Sequence, residues 1–155
     1  MTTIAPTKIK TTWEIKKIQE MTAKSMSDSM MAAMGVLRKH GEETLKEFQA
    51  AQREPMIKYY KGLGIKTPMD LAKAKAELET NMFGSEIEIK GEENKAELKY
   101  ISCAMWNNMK SCMNEEQQKE AGTCFEACVS SFAKEFGFTG EVKFDGETAT
   151  ITFKK

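Results

Sequence analysis

Ser85-Glu86-Ile87-Glu88-Ile89-Lys90-Gly91-Glu92-Glu93-Asn94-Lys95-Ala96-Glu97-Leu98-Lys99-Tyr100 alternates apolar and charged residues on either side of a polar turn. A period of two is the mark of a half-buried strand, and two such runs around a short turn make a β-hairpin. The runs cover 85–90 and 95–102, with Gly91-Glu92-Glu93-Asn94 as the turn. A four-residue loop sets Ile89 opposite Ala96 and Ile87 opposite Leu98, so the apolar faces agree. On the polar face the same register sets Glu86 against Lys99, but also Glu88 against Glu97 and Lys90 against Lys95, which costs a little. A slip by one residue costs more, because it turns both isoleucines out of the core.

A second hairpin closes the chain. Asp145-Gly146 is a favoured two-residue turn; it pairs Val142 with Ala149 and leaves Phe144 and Ile151 on that face. Between the hairpins, Phe125, Cys128, Val129, Phe132 and Phe136 recur at helical spacing, and Gly137 ends the run. Asn114 followed by Glu115-Glu116 is one start for this helix. Gly122 followed by Thr123-Cys124-Phe125-Glu126, a capping box, is the favoured one, with a break at Gly122.

Upstream of Gly84 the period is helical. Thr11-Thr12-Trp13-Glu14 has the form of a capping box. Trp13, Ile15, Ile18, Met21, Met26, Met30, Met34 and Leu37 then follow as one side of a long helix, with Gly41 as a stop. A second helix runs from about Glu42 with Leu45, Phe48 and Ala51 inward. Pro55 either kinks it or opens a further helix through Tyr59-Tyr60, and Gly62 and Gly64 end it. Thr67-Pro68-Met69-Asp70 combines an N-cap, a proline at N1 and an acid at N3, starting a helix that reaches about Asn81. The expectation is an α+β fold in a single domain over residues 1–155. A helical part, 1–83, precedes a hairpin-helix-hairpin part, 84–155, whose strands form one antiparallel sheet with helices on one face.

Composition narrows the function. The 155 residues suffice for a core without disulfide staples, and 23 basic residues balance 23 acidic ones. That balance speaks against nucleic acid as a partner, and Lys8-Ile9-Lys10 and Lys16-Lys17 read as solvated faces. No apolar run approaches the roughly 20 residues of a membrane span, and residues 1–12 lack the apolar core of a signal peptide. A cytoplasmic protein with reduced thiols is expected, with no membrane partner. Two features stand out: 12 methionines, and 4 cysteines confined to positions 103–128. The methionine-rich stripe fits core packing first, and leaves room for a groove or a homodimer face.

The cysteines are the candidates for chemistry. With Thr123 as cap, Cys124 falls at N1 of a helix, where free amides favour a thiolate or a bound carboxylate. Cys103 sits where the second strand gives way to a loop, and Trp106, three residues on, walls a pocket or simply packs. Cys128 lies one turn beyond Cys124 and in the apolar stripe, where a buried core thiol is the plainer account. Cys112 falls in a polar stretch and reads as exposed. Glu126 has a base's chemistry, but its capping position already explains it. The spacing C-x8-C-x11-C-x3-C lacks the close pair that opens structural zinc sites, so Cys103, Cys112, Cys124 and Cys128 make a weak set for a zinc ion and a weaker one for an iron–sulfur cluster. The one histidine, His40, precedes Gly41 and suits a helix end, although a Cys–His pair stays open. Gly62-Leu63-Gly64 is too short for a phosphate loop.

Beyond these readings, Cys103, Gly122-Thr123-Cys124, Phe132-Ala133-Lys134, Val142-Lys143-Phe144 and Thr150-Ile151-Thr152-Phe153 together resemble the L-2-amino-thiazoline-4-carboxylic acid hydrolase-like family. Leu37-Arg38-Lys39-His40-Gly41 and Leu63-Gly64-Ile65 fit its layout, and the resemblance runs over about residues 23–153. The family is similar in outline to the vinyl-reductase type of ligand-binding domain. The resemblance implies an α+β fold and hydrolysis of a cyclic carbon–nitrogen bond, with Cys103 and Cys124 as the matching cysteines. Two positions depart from it: Ala104 stands where members carry proline, and Ala149-Thr150 where many carry a cysteine. The resulting expectation is a small-molecule pocket between sheet and helices. Cys103 and Cys124 are its catalytic residues, Thr123, Glu126 and Trp106 its ligand contacts, and a cyclic amidine or thiazoline-type carboxylic acid its ligand. The rivals are a non-catalytic cysteine-based metal or redox module and a ligand-sensing accessory protein.

Overall fold

The computed structural model describes residues 11–155. Lys8-Ile9-Lys10, and most of the stretch read for a signal, lie outside them. Among these residues α1 (Ile15–Arg38), α2 (Glu42–Gly62) and α3 (Pro68–Phe83) precede the hairpin β1 (Glu86–Glu92) and β2 (Lys95–Ser102). Then come α4 (Ala104–Lys110), α5 (Glu115–Lys134) and the hairpin β3 (Thr139–Asp145) and β4 (Thr148–Lys154). The four strands form one antiparallel sheet in the order β1-β2-β4-β3. The expected α+β fold, helices first and then hairpin, helix, hairpin, is therefore what the chain adopts. No described helix is long and apolar enough to cross a membrane.

Both hairpins take a register shifted by two residues from the expected one. In the first, Ile89 pairs with Leu98 and Ile87 with Tyr100, around a turn at Glu93-Asn94. A shift of two preserves the buried face, and it repairs the polar one. Glu88 now faces Lys99, Lys90 faces Glu97 and Glu92 faces Lys95. Lys90 Nζ lies 3.1 Å from Glu97 Oε2. Like charges opposite one another are thus exchanged for opposite ones, a gain of about 0.2–1 kcal/mol per pair. Gly91 is needed for this turn: a Cβ there would fall 2.3 Å from the Lys95 carbonyl oxygen. In the second hairpin Phe144 pairs with Ala149 and Val142 with Ile151. Gly146 is the first turn residue rather than the second, at φ +61°, as the two-residue turns with glycine first require.

The inward face of the sheet carries Ala96, Leu98, Ile151 and Phe153, all fully buried. α3 covers β1 and β2 with Leu71 and Ala72, and α5 covers β3 with Val129, Phe132 and Ala133. The capping box at Thr67 forms as read. Thr67 Oγ1 accepts from the Asp70 amide at 3.1 Å and Asp70 Oδ2 accepts from the Thr67 amide at 2.9 Å. The Lys66 amide, then the Thr67 groups, hold the Asp70 carboxyl below its ordinary value.

Three helix boundaries correct the expectation. α1 starts after Glu14, not at Thr11, and its first backbone bond runs from the Ile18 amide to the Glu14 carbonyl; Thr11 and Thr12 lie outside any helix or strand. It ends at Arg38, and Gly41, at φ +104°, opens α2 instead. α2 is one helix with Pro55 inside it. α5 runs unbroken through Gly122 from an Asn114 cap, whose Oδ1 accepts from the Gln117 amide at 2.9 Å while Gln117 Oε1 accepts from the Asn114 amide at 3.0 Å. This complete capping box competes with Thr123 and wins, because a single glycine costs a helix interior only about 1 kcal/mol. The buried side of α1 is also not the expected one. Ala23 and Ser27 are its buried residues, while Trp13, Ile15, Ile18, Met21 and Met26 are exposed.

Candidate functional site

The continuity of α5 changes the standing of Cys124. It lies in the middle of the helix, so no free amides surround it, and the dipole argument for a thiolate loses its basis. Thr123 is exposed and caps nothing; its hydroxyl donates to the Lys119 carbonyl at 3.3 Å. Glu126 is exposed on the same helix. Cys128, expected in the core, is exposed, since Phe125, Val129 and Phe132 set the inward direction and Cys128 falls to its side. Cys112 is exposed, as expected. All four thiols are free, and no disulfide or hydrogen bond joins Cys103 to Cys124. Among the described residues no three His, Cys, Asp or Glu side chains gather into a group able to hold a metal ion. His40 is exposed in the turn between α1 and α2.

Cys103 is placed differently. It ends β2 and caps α4, a short helix where a loop was expected, and its Sγ accepts from the Trp106 amide at 3.5 Å. The Ser85 hydroxyl, itself buried, accepts from the Ala104 amide at 3.2 Å and ties α4 to the start of β1. Cys103 is half-buried against the main core. Burial pushes its thiol up; the Trp106 amide opposes this, and the charges that also act on it are those of Glu79 and Lys75.

Those two charges are the centre of a cluster that sequence reading missed. α3 starts at Pro68, which fixes its phase: Leu71 and Ala72 face the sheet, and Lys75 and Glu79 continue on that side one and two turns later. The Lys75 side chain is 16% exposed and that of Glu79 14%. Lys75 Nζ is ion-paired with Glu79 Oε1. Glu79 Oε2 accepts from the Tyr100 hydroxyl at 2.7 Å. Tyr100, on β2, is 3% exposed, and burial drives its phenol well above the ordinary value. Tyr60 of α2 closes the cluster from above, with its ring edge-on to Phe132 at 5.2 Å. Burial pushes its phenol up to about 12, with Lys75 lowering it and Glu79 raising it. Burial alone would lower the Lys75 ammonium, but Glu79 foremost and then Tyr100 and Tyr60 outweigh this and hold it well above its ordinary value. Both oxygens of Glu79 are therefore occupied, one by a cation and one by a neutral phenol.

The cluster lies under the inner layer, not in an open cleft. One groove, of about 560 Å³, runs between α2 and α5 and is lined by Arg53, Ile57, Lys61, Ser131 and Glu135 among others. A second lies along residues 12–20. Neither contains any of the four cysteines or Trp106. Trp106 is half-buried on α4, none of whose residues is fully buried. No protein-family model matches this chain, and comparison with curated proteins finds no significant relative.

Proposed function

We propose that the chain is a cytoplasmic small-molecule-binding protein, akin to the thiazoline-carboxylate hydrolases it resembles, and that its ligand is a small cyclic amidine-type carboxylic acid recognised at the end of β2. The observation that carries this is the Lys75–Glu79 pair with Tyr100 and Cys103 in an otherwise apolar layer. Apolar residues of similar size would stabilise that layer as well or better, and buried, mutually perturbed groups of this kind concentrate at functional sites. In this reading the ligand opens the Lys75–Glu79 pair, Lys75 then serving its carboxylate and Glu79 its amidinium. Cys103, its thiol pushed up by burial, stays protonated near neutral pH. That favours a thiol that contacts the ligand over a resting nucleophile, and so binding over hydrolysis.

The test uses the full chain and 2-amino-2-thiazoline-4-carboxylate. Calorimetry is expected to show saturable binding in the parent and in Cys124→Ser, and none in the Lys75→Met/Glu79→Gln double variant, whose fold is checked by circular dichroism. Ligand is also expected to slow iodoacetamide labelling of Cys103, read by mass spectrometry, with Cys112 and Cys128 unaffected. Ring opening at full occupancy would move the reading to hydrolase. Absence of binding, or equal binding by the folded double variant, overturns it.

A further inference from the structure

Cys124 and Cys128 take no part in the Lys75–Glu79 cluster, yet α5 sets them side by side. Because this helix runs unbroken from Glu115 to Lys134, residues four apart share a side, with Cβ atoms about 5–6 Å apart. That side is not the one that packs on the sheet. Phe125, Val129 and Phe132 belong to the core, whereas Cys128 is exposed and Cys124 half-buried. Cysteine is among the most buried residue types and ranks low in helix propensity, so neither packing nor helix formation accounts for two on one outer side. Glu120, one turn before Cys124, continues the line, and Arg38 of α1 is ion-paired with its carboxylate at 3.0 Å.

We infer that Cys124 and Cys128 form a two-thiolate site for a soft monovalent cation, Cu⁺. The spacing selects the occupant. A disulfide needs Cβ atoms about 3.5–4.5 Å apart, so a regular helix holds these two thiols too far apart to close one. A single ion spans the gap: two metal–sulfur bonds in line, each of about 2.3 Å as in zinc thiolates, set the sulfurs about 4.6 Å apart. Zinc itself takes four ligands, and among the described residues no three His, Cys, Asp or Glu side chains gather to supply them. Cu⁺ selects soft sulfur ligands and is satisfied by two in line. On binding, each thiol releases its proton, two copper–sulfur bonds form and no electron is transferred. The bis(thiolate) complex carries one negative charge. Arg38 neutralises Glu120, the carboxylate one turn away that would otherwise repel it.

The test titrates the reduced full chain anaerobically with Cu⁺ against bicinchoninate, a chromogenic chelator of that ion, and reads how much copper the protein withholds. One equivalent is expected. Cys124→Ser and Cys128→Ser should each weaken binding by at least about a hundredfold, because the second thiolate of a chelate acts at high effective concentration. Circular dichroism spectra of both should match the parent's. Cys103→Ser and Cys112→Ser should bind as the parent does. In the parent itself, Cu⁺ should shield Cys124 and Cys128 together from iodoacetamide, read by mass spectrometry, and leave Cys112 reactive. A chain that withholds no copper from the chelator overturns the inference. So does binding that survives loss of either Cys124 or Cys128, or that falls equally in Cys112→Ser.

Discussion

Lys75 and Glu79 define what a single residue can do in this fold. Removing one member of a buried pair strands the other charge, which costs about 3–5 kcal/mol, whereas removing both charges is often neutral. Lys75→Met is therefore expected to lower the urea midpoint sharply, and Lys75→Met/Glu79→Gln to recover most of it, because the amide oxygen introduced by Glu79→Gln still accepts from the Tyr100 hydroxyl. Equal losses in the single and double variants would contradict the pairing. The same cluster sets the alkaline limit. Cys103, Tyr60, Tyr100 and Lys75 all have raised values. A group held above its unfolded value contributes stability that is complete below the unfolded value and is lost as pH rises through the folded one. Stability is thus expected to fall from about pH 9 upward through about 12, the span from the unfolded Cys103 value of 9.0 to the folded Tyr60 value. Tyr60, at 1% exposure, accounts for about 3 kcal/mol of this, two pH units' worth. Tyr60→Phe should flatten the decline in stability measured by urea unfolding at pH 9 to 12; an unchanged slope would remove Tyr60 from the account. The cluster had a legible signal in the sequence. Thr67-Pro68 fixes the phase of α3, and counting from Leu71 sets Lys75 and Glu79 inward. The residue types point the other way, since lysine and glutamate one turn apart read by default as a solvated pair.

At the scale of elements, Gly122 separates two readings of α5. A glycine that breaks the helix resists replacement, whereas one inside a continuous helix destabilises it by about 0.5–1 kcal/mol relative to alanine. A Cβ at Gly122 would meet only the Phe144 ring, at 3.6 Å, an ordinary contact. Gly122→Ala is accordingly expected to raise the unfolding midpoint; a lower one would restore the break. Gly140 behaves in the opposite way. A Cβ there would come to 2.8 Å from both Ala133 Cβ and the Val129 carbonyl oxygen. This is where α5 lies closest on β3, and helix backbone cannot yield as a side-chain tip can. Gly140→Ala should cost about 1–3 kcal/mol by overpacking, measurable in the same urea titration. The strands and the α3 cap were readable because alternation, turn glycines and the Thr67–Asp70 box are local chemistry. The hairpin registers were not, since a step of two leaves the apolar alternation unchanged and only the pairing of Glu88 and Lys90 tells the alternatives apart. The start of α5 was ambiguous for a similar reason: two capping boxes stand nine residues apart, at Asn114 and Thr123, and the longer helix wins by completing more backbone bonds.

At the scale of the molecule, the strand order β1-β2-β4-β3 places β2 and β4 at the centre, each paired on both sides. They carry Ala96, Leu98, Ile151 and Phe153, each at 0% exposure. α3 covers these strands and α5 covers β3, while α1 rests on α2, α3 and α4 and buries only Ala23 and Ser27 fully. Its docking relies on a polar tether, Gln19 Nε2 donating to the Thr80 and Asn81 carbonyls at 3.1 Å each, while the Ser27 hydroxyl donates within α1, to the Ala23 carbonyl at 2.8 Å. Regions with few buried apolar contacts open at lower free energy than the core. Native-state hydrogen exchange at a few micromolar should find α1 amides exchanging by local opening, at rates insensitive to low urea. Amides of β2 and β4 should exchange only with global unfolding, at rates that rise steeply with urea. Exchange of α1 at the same free energy as β4 would show the helix to be an integral part of the core.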